Sequence, residues 1–452
     1  DRVSAGFLDG QALPALKPAA PGTRAAADSI TLRTLPAGTS GLPVPVPVVI
    51  QANGAYAPGF AAGQTVRSDT LQPRGLAATP CTAPGTDFWF AGVSLGTTRA
   101  SKLELSNTDN APATVNLTFY GPDGQIDTGT LGHDIVIGAH ATVEETLNTY
   151  LQPAPAAMTA SVHVTTSIGR VATVVLDEDQ GQSKTVAGSG MDYIQAQPAN
   201  APDQAVQVIP GIPAGGPAGK LQKIDLVLTA TGANNVSIDK LEWFGKSPIE
   251  PSAPATPPGP GYTPFTLPLT VPAGKTITVD LSFVPADNNE SGAFRLTTSG
   301  GPLLSGVRIV AAAPQGSLTD TAYLAPGQPI TAESVVADNK AGGKATSTLF
   351  LSDLGGKGAT LKVTTIGADG KPAVDTVQVP ANQTAAYPLK ANGEFTTVVD
   401  VQPGSDPVYA ARQMSDSPKS NSVTTTLQVL EPARLTVGVP PVAVDLSGAV
   451  KR

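Results

Sequence analysis

A thiolate nucleophile needs a neighbouring base, so cysteine and histidine are the residues to weigh first. The chain has one cysteine, Cys81, and three histidines, His133, His140 and His163. All three histidines fall in the first of the repeats described below. One thiol cannot form an intramolecular disulfide, and a buried, inert side chain is the expectation for Cys81. His163 aligns with Arg295 of the second repeat, which marks an outward sheet position rather than a metal ligand. The sequence holds no Gly-x-Ser-x-Gly elbow, His-Glu-x-x-His, phosphate loop or Cys-x-x-Cys. Glu144 and Glu145 are adjacent, and adjacent strand residues face opposite ways. The acidic run Asp177-Glu178-Asp179 would need more oxygen ligands to hold calcium, and only Gln180 and Gln182 follow. A solvated loop is its simpler reading. No catalytic residue, metal or cofactor emerges, so the expectation is a protein that is not an enzyme.

Binding candidates are aromatic or proline-rich. Phe119 and Trp243 alternate with Leu117 and Leu241, which assigns them to a core. Tyr120 and Phe244 lie on the opposite strand face, beside Thr118 and Glu242, where exposed rings would form a platform for a sugar or a protein. Within Phe88-Trp89-Phe90, Trp89 points away from its neighbours, either under the N-terminal arm or towards a partner. Pro251–Pro264 is dense in proline, and such segments are stiff and extended. Its Pro254, Pro257, Pro258 and Tyr262 are candidates for a docking loop. Together with Trp89, Tyr120 and Phe244 they make up the candidate partner-binding set.

The elements that carry these residues repeat three times. Leu117–Gly121, Leu241–Gly245 and Val363–Gly367 are strands ending at glycine. Ile135-Val-Ile137-Gly-Ala139-His-Ala-Thr142 matches Leu269-Thr-Val271-Pro-Ala273-Gly-Lys-Thr276 and Val377-Gln-Val379-Pro-Ala381-Asn-Gln-Thr384. Each reads as strand, turn, strand. The spacing places Ala139, Ala273 and Ala381 in equivalent turns. Between glycine and turn, the second copy runs from 245 to 273, against 121 to 139 and 367 to 381, so it carries the proline-rich insertion. Two closing strands follow in each copy, and one strand opens it: Lys102–Asn107, Lys223–Thr229 and Thr346–Ser352. Six to eight short strands per repeat predict an all-β fold of three tandem immunoglobulin-like β-sandwiches. The expected boundaries are an extended arm over 1–87, repeats over 88–200, 201–315 and 316–430, and C-terminal strands over 431–452. Residues 200–222 read as a linker, both ends as added edge strands, and the whole as a rod. The one helical candidate, Glu144–Gln152, is too short to hold alone.

Composition agrees with this reading. Gly (47) and Pro (43) are abundant while hydrophobic residues still reach 40%, a turn-rich β pattern rather than disorder. Charged residues are only 14%, which suits an extracytoplasmic surface. The net charge of −8 has no basic stripe, which argues against a nucleic-acid partner. No apolar run is long enough to span a membrane as a helix. The sequence begins at Asp1, and a removed segment or anchor before it is expected.

The run Cys81 … Phe88-Trp89-Phe90-Ala91-Gly92, then Leu103-Glu-Leu-Ser-Asn107, Val115 … Tyr120-Gly121-Pro-Asp-Gly124 and Val208-Ile-Pro-Gly211, resembles an actinobacterial family of secreted proteins of unknown function. The resemblance covers most of residues 80–430. It implies a place outside the membrane and an association with a large membrane glycosyltransferase, and it carries over no catalytic residue. The expected function is a non-catalytic scaffold or accessory protein of the cell envelope, secreted or tethered to the outer face of the cytoplasmic membrane. Its partner would be a membrane protein such as a glycosyltransferase, or an envelope glycan. The alternative is a carbohydrate-binding or adhesive surface module.

Overall fold

Alternation of apolar and polar residues commits this chain to strands, because successive side chains leave a strand on opposite faces. A computed structural model describes residues 2–7, 48–53, 57–68, 74–179, 190–214, 220–252, 265–312, 319–416 and 424–434. Among these the fold is all β, and every strand ladder is antiparallel.

Six sheets pair into three sandwiches. In the first, one sheet runs Ala141–Thr146, Arg99–Asn107, Ala172–Asp179, Met191–Ile194. Its partner runs Gln197–Pro198, Asp87–Ser94, Thr159–Ile168, Ala113–Gly121, Gly124–Ile126, with Ile135–Ile137 also on Ala113–Gly121. The second sandwich sets Thr276–Asp280, Lys220–Ala230, Leu303–Ala312, Thr319–Leu324 against Val206–Ile212, Gly292–Ser299, Val236–Phe244, Pro248–Ile249, with Leu269–Val271 beside Val236–Phe244. The third sets Thr384–Pro388, Ala345–Asp353, Val408–Asp416, Thr424–Val429 against Glu333–Ala341, Gly393–Val401, Ala359–Gly367, Pro372–Val379. With Gly124–Ile126 and Ile135–Ile137 counted together as one fourth strand, and Pro248–Ile249 and Leu269–Val271 likewise, strands numbered from Asp87, Val206 and Glu333 follow one plan each time, fifth–second–seventh–eighth facing first–sixth–third–fourth. Each pair of sheets encloses its own apolar core, with Phe90 and Phe119 in the first, Trp243 and Phe294 in the second, and Leu361 and Phe395 in the third.

The turns before the fifth strands are equivalent. Ala139, Ala273 and Ala381 each precede a left-handed residue, His140 (φ 51°), Gly274 (φ 68°) and Asn382 (φ 56°). A position that needs positive φ tolerates such residues better than branched ones. Thr142, Thr276 and Thr384 follow, and each hydroxyl pairs at 2.8 Å with one on the second strand, Ser106, Thr229 or Ser352.

Four expectations change. Residues 200–222 are more than a linker, since Val206–Ile212 is a sheet strand with Val208, Ile209 and Ile212 buried. Only a 3-10 turn, Leu147–Tyr150, occupies the helical candidate, while a short helix, Phe283–Asn288, forms elsewhere. Gly63–Ser68 and Gly75–Pro80 make a hairpin that joins no sandwich sheet as an edge strand. Lastly, the sandwiches do not line up as a rod. Thr426 of the third donates to the Asp192 carboxylate of the first at 2.8 Å, and the Val429 amide donates to Gln195 at 3.3 Å.

Candidate functional site

The sandwiches meet through one junction made twice. In each first strand a bulge interrupts the ladder at a left-handed residue, Gly92 (φ 89°) in the first sandwich and Gly211 (φ 87°) in the second. The bulge turns the strand's outer face onto the second and seventh strands of the next sandwich. Gly92 faces Val227, and Ala91 lies against Gly306; Gly211 faces Phe350 and Ala411. Val227 pairs with Gly306 and Phe350 with Ala411, so the two contacts are the same contact. A hydroxyl completes each one. Thr276 donates to the Tyr120 carbonyl and Thr384 to the Phe244 carbonyl, both at 2.6 Å.

The eighth strands, Met191–Ile194, Thr319–Leu324 and Thr424–Val429, come together with Gly75–Pro80 around a common axis, and two fully buried carboxyl groups bind them. Asp192 accepts from the amides of Ala78 (3.3 Å), Tyr193 (2.9 Å) and Tyr323 (3.2 Å), and from the Thr426 hydroxyl. Asp320 accepts from the amides of Leu76 (3.3 Å), Met191 (3.2 Å), Thr321 (3.0 Å) and Thr425 (2.7 Å). Strand amides from all four segments thus end on side-chain carboxyls, which satisfies donors that no ladder reaches. Burial pushes Asp320 up to about 8 and Asp192 well above the ordinary carboxylate range. Gly75 and Gly190 supply the room, since a Cβ at either would strike Asp320.

A buried ionic cluster lies between the first and second sandwiches. Asp177 takes an ion pair from Arg99, a 2.6 Å hydrogen bond from Ser101, and the Tyr323 hydroxyl. Arg308 pairs with Asp225 at 2.7 Å, and Lys223 with Asp225 at 2.9 Å. The solvated-loop reading of Asp177-Glu178-Asp179 is therefore corrected. These residues end the strand Ala172–Asp179, Asp177 and Glu178 are buried, and Glu178 holds Lys102 at 2.7 Å. Among the described residues no group of three or more His, Cys, Asp or Glu could hold a metal ion.

The residues singled out in the sequence fall on this framework. Trp243 and Phe119 are buried, as their alternation with leucine requires. Phe244 is not an exposed platform. It is 2% exposed, lies under the Arg295 guanidinium at 4.7 Å, and its carbonyl serves the second junction. Tyr120 is half-buried and serves the first. Trp89 is 6% exposed and is covered by Leu304 of the second sandwich. Its indole stacks on His163 at 3.6 Å, and His163 bonds Asp87 at 2.8 Å. Cys81 is exposed rather than buried. Pro254, Pro257, Pro258 and Tyr262 lie outside the described residues. Sequence reasoning missed Asp192 and Asp320; the signal was an acid inside a short apolar strand, Met191-Asp-Tyr-Ile and Thr319-Asp-Thr-Ala-Tyr-Leu.

Comparison with curated proteins and with solved structures gives no match. Residues 36–390, which hold the hairpin, the first two sandwiches and most of the third, match the model of a family of unknown function, DUF5719, and the chain belongs to that family.

Proposed function

We propose that this chain is a non-catalytic scaffold of the cell envelope, held outside the cytoplasmic membrane, that binds a membrane partner such as a glycosyltransferase. The observation behind this reading is how the polar side chains are used. The Tyr120–Thr276 and Phe244–Thr384 bonds, the Asp177 cluster and the axial carboxyls all join sandwich to sandwich. Chemistry that could have faced a substrate is spent on fixing three sandwiches in one arrangement, which is what a rigid platform needs. A chain with only 14% charged residues supports the extracytoplasmic placement. No helix among the described residues is long and apolar enough to cross a membrane. Affinity isolation of the native protein from detergent-solubilised envelopes tests the proposal. The expected result is stoichiometric recovery of an integral membrane glycosyltransferase. Recovery of the chain alone, together with selective binding on a glycan array, would replace the scaffold with a carbohydrate-binding module.

A further inference from the structure

One corner of the third sandwich is polar where the other two are apolar, and strand register fixes the comparison. The third and sixth strands pair Phe119 with Val162, Trp243 with Phe294, and Thr365 with Thr397. The second strands place Leu103, Leu226 and Leu349 opposite Val175, Val307 and Arg412 of the seventh. Across the other edge of the seventh strand, Val175 meets Ile194, Val307 meets Leu324, and Arg412 meets Gln428. Just past the first-strand bulge, Val93, Ile212 and Asn339 stand opposite Ala160, Gly292 and Phe395. In the first two sandwiches all five places belong to the apolar core. The third fills them with Thr365, Thr397, Arg412, Gln428 and Asn339, none more than 9% exposed. Where the Trp243 and Phe294 rings pack in the second sandwich, the third has two short hydroxyl side chains.

Two atoms of this corner are left over. Arg412 is 1% exposed, and donates from Nη2 to Gln428 Oε1 at 2.6 Å and from Nη1 to the Asp338 carbonyl at 3.3 Å. Its Nε has no hydrogen-bond partner, and no carboxylate among the described residues forms an ion pair with it. Burial pushes the guanidinium down to about 10, and Asp338 and Asp192 oppose that shift without pairing with it. Asn339 donates from Nδ2 to the Val336 carbonyl at 2.9 Å, which fixes the orientation of its amide. Asn339 Oδ1 is then buried with no donor. Both side chains grip one bulge, whose left-handed residue is Asp338 (φ 60°) in place of Gly92 and Gly211. We propose that this corner binds a small hydroxycarboxylate, whose carboxylate pairs with Arg412 through Nε and whose hydroxyl donates to Asn339 Oδ1.

The ligand's chemistry follows from what the two atoms lack. A buried cation without an anion beside it is costly, so Arg412 calls for a negative group. The planar guanidinium suits a carboxylate better than a spherical ion. A halide would balance the charge and leave Asn339 Oδ1 without a donor. A water would serve Oδ1 and leave the charge unbalanced. One molecule that carries both a carboxylate and a hydroxyl meets both needs. It must be small, because the side chains that receive it are almost wholly buried. Neither sibling sandwich can hold it, since valine stands in both at the place of Arg412. The site needs no envelope partner, so it stands apart from the scaffold reading.

The test titrates the full chain with glycolate, acetate and chloride at constant ionic strength, by calorimetry and by melting temperature. Saturable glycolate binding that raises the melting temperature is expected. Acetate lacks the hydroxyl and should bind about tenfold more weakly, the equivalent of one hydrogen bond. Arg412→Val with Gln428→Leu gives the corner the second sandwich's own pair. That double variant should fold at least as stably, because an apolar pair replaces a buried charge, and it should lose glycolate binding. Asn339→Val, with the residue of the first sandwich, should keep acetate binding and erase the preference for glycolate. Should the double variant fail to fold, Asn339→Val decides alone. No glycolate binding, equal affinity for glycolate and acetate, an equal response to chloride, or binding that survives the double variant would each overturn the proposal.

Discussion

Single side chains in this protein act mainly by filling or bridging. Trp243 is fully buried, 5.0 Å from the Phe294 ring, in the largest of the cores. Trp243→Ala removes that ring from a packed interior and should cost on the order of 3–5 kcal/mol in urea unfolding. A loss under about 1 kcal/mol, the range of surface changes, would mean the ring is not where its alternation with Leu241 puts it. Thr384 makes two bonds through one hydroxyl: it donates its single proton to the Phe244 carbonyl of the neighbouring sandwich and accepts from the Ser352 hydroxyl beside it. Thr384→Val keeps the shape and leaves that carbonyl without its donor, at a cost of about 1–2 kcal/mol. Thr142→Val is the matched control, because Thr142 bonds Ser106 but no carbonyl of another sandwich among the described residues. Equal losses at both positions would show that the junction hydroxyl contributes nothing beyond its own sheet.

At the scale of elements, the eighth strands and the hairpin depend on a buried carboxyl pair whose ionisation they oppose. Burial raises Asp320 to about 8, and Asp192 rises for the same reason with Asp320 beside it. A raised folded pKa means stability that is full below the unfolded value and is lost as pH climbs through the folded one. Urea midpoints should therefore fall between about pH 4 and pH 8. Asp320→Asn removes one titration, so the variant should be less stable at low pH and should flatten that decline. Parallel midpoint-against-pH curves for wild type and variant would show that Asp320 does not titrate in this window. The same strands show what a sequence reveals and what it hides. Ala113–Gly121 alternates buried and half-buried residues along its whole length, so its period of two was legible. Gly75–Pro80 is buried at five of its six positions and made of small residues, so it carries no alternation to read. Trp89 and Phe244 misled for a related reason: their faces do point away from their own cores, but Leu304 of the second sandwich covers Trp89 and the Arg295 guanidinium of a neighbouring strand covers Phe244, and alternation along one strand cannot show that. The carboxyl pair was hidden because its donors come from segments far apart in the chain, as with Ala78 and Asp192 or Leu76 and Asp320.

For the molecule as a whole, the axis decides whether three sandwiches behave as three bodies or as one. A chain of end-to-end domains would let a defect in one stay there. Here the hairpin strand Gly75–Pro80 touches the eighth strands of the first and third sandwiches, and its Leu76 amide reaches Asp320 of the second. Gly75 is the tightest point of that contact, with the Met191 amide 2.7 Å and Asp320 Oδ1 2.8 Å from where a Cβ would sit. Its backbone is in an ordinary conformation, so a substitution there acts through space alone. Gly75→Val must displace Met191 or the Asp320 carboxyl, and overpacking of this kind costs about 1–3 kcal/mol. Because Asp320 holds amides from both the first and third sandwiches, the damage should spread. Hydrogen exchange of the variant is expected to quicken in Met191–Ile194, Thr319–Leu324 and Thr424–Val429 together, while Ala359–Gly367, remote from the axis, keeps its protection. Faster exchange confined to Gly75–Pro80 would mean that the hairpin merely rests on the sandwiches. Faster exchange in all three eighth strands would make the hairpin the piece that closes them, so that a change at Gly75–Pro80 reaches every sandwich through the axis.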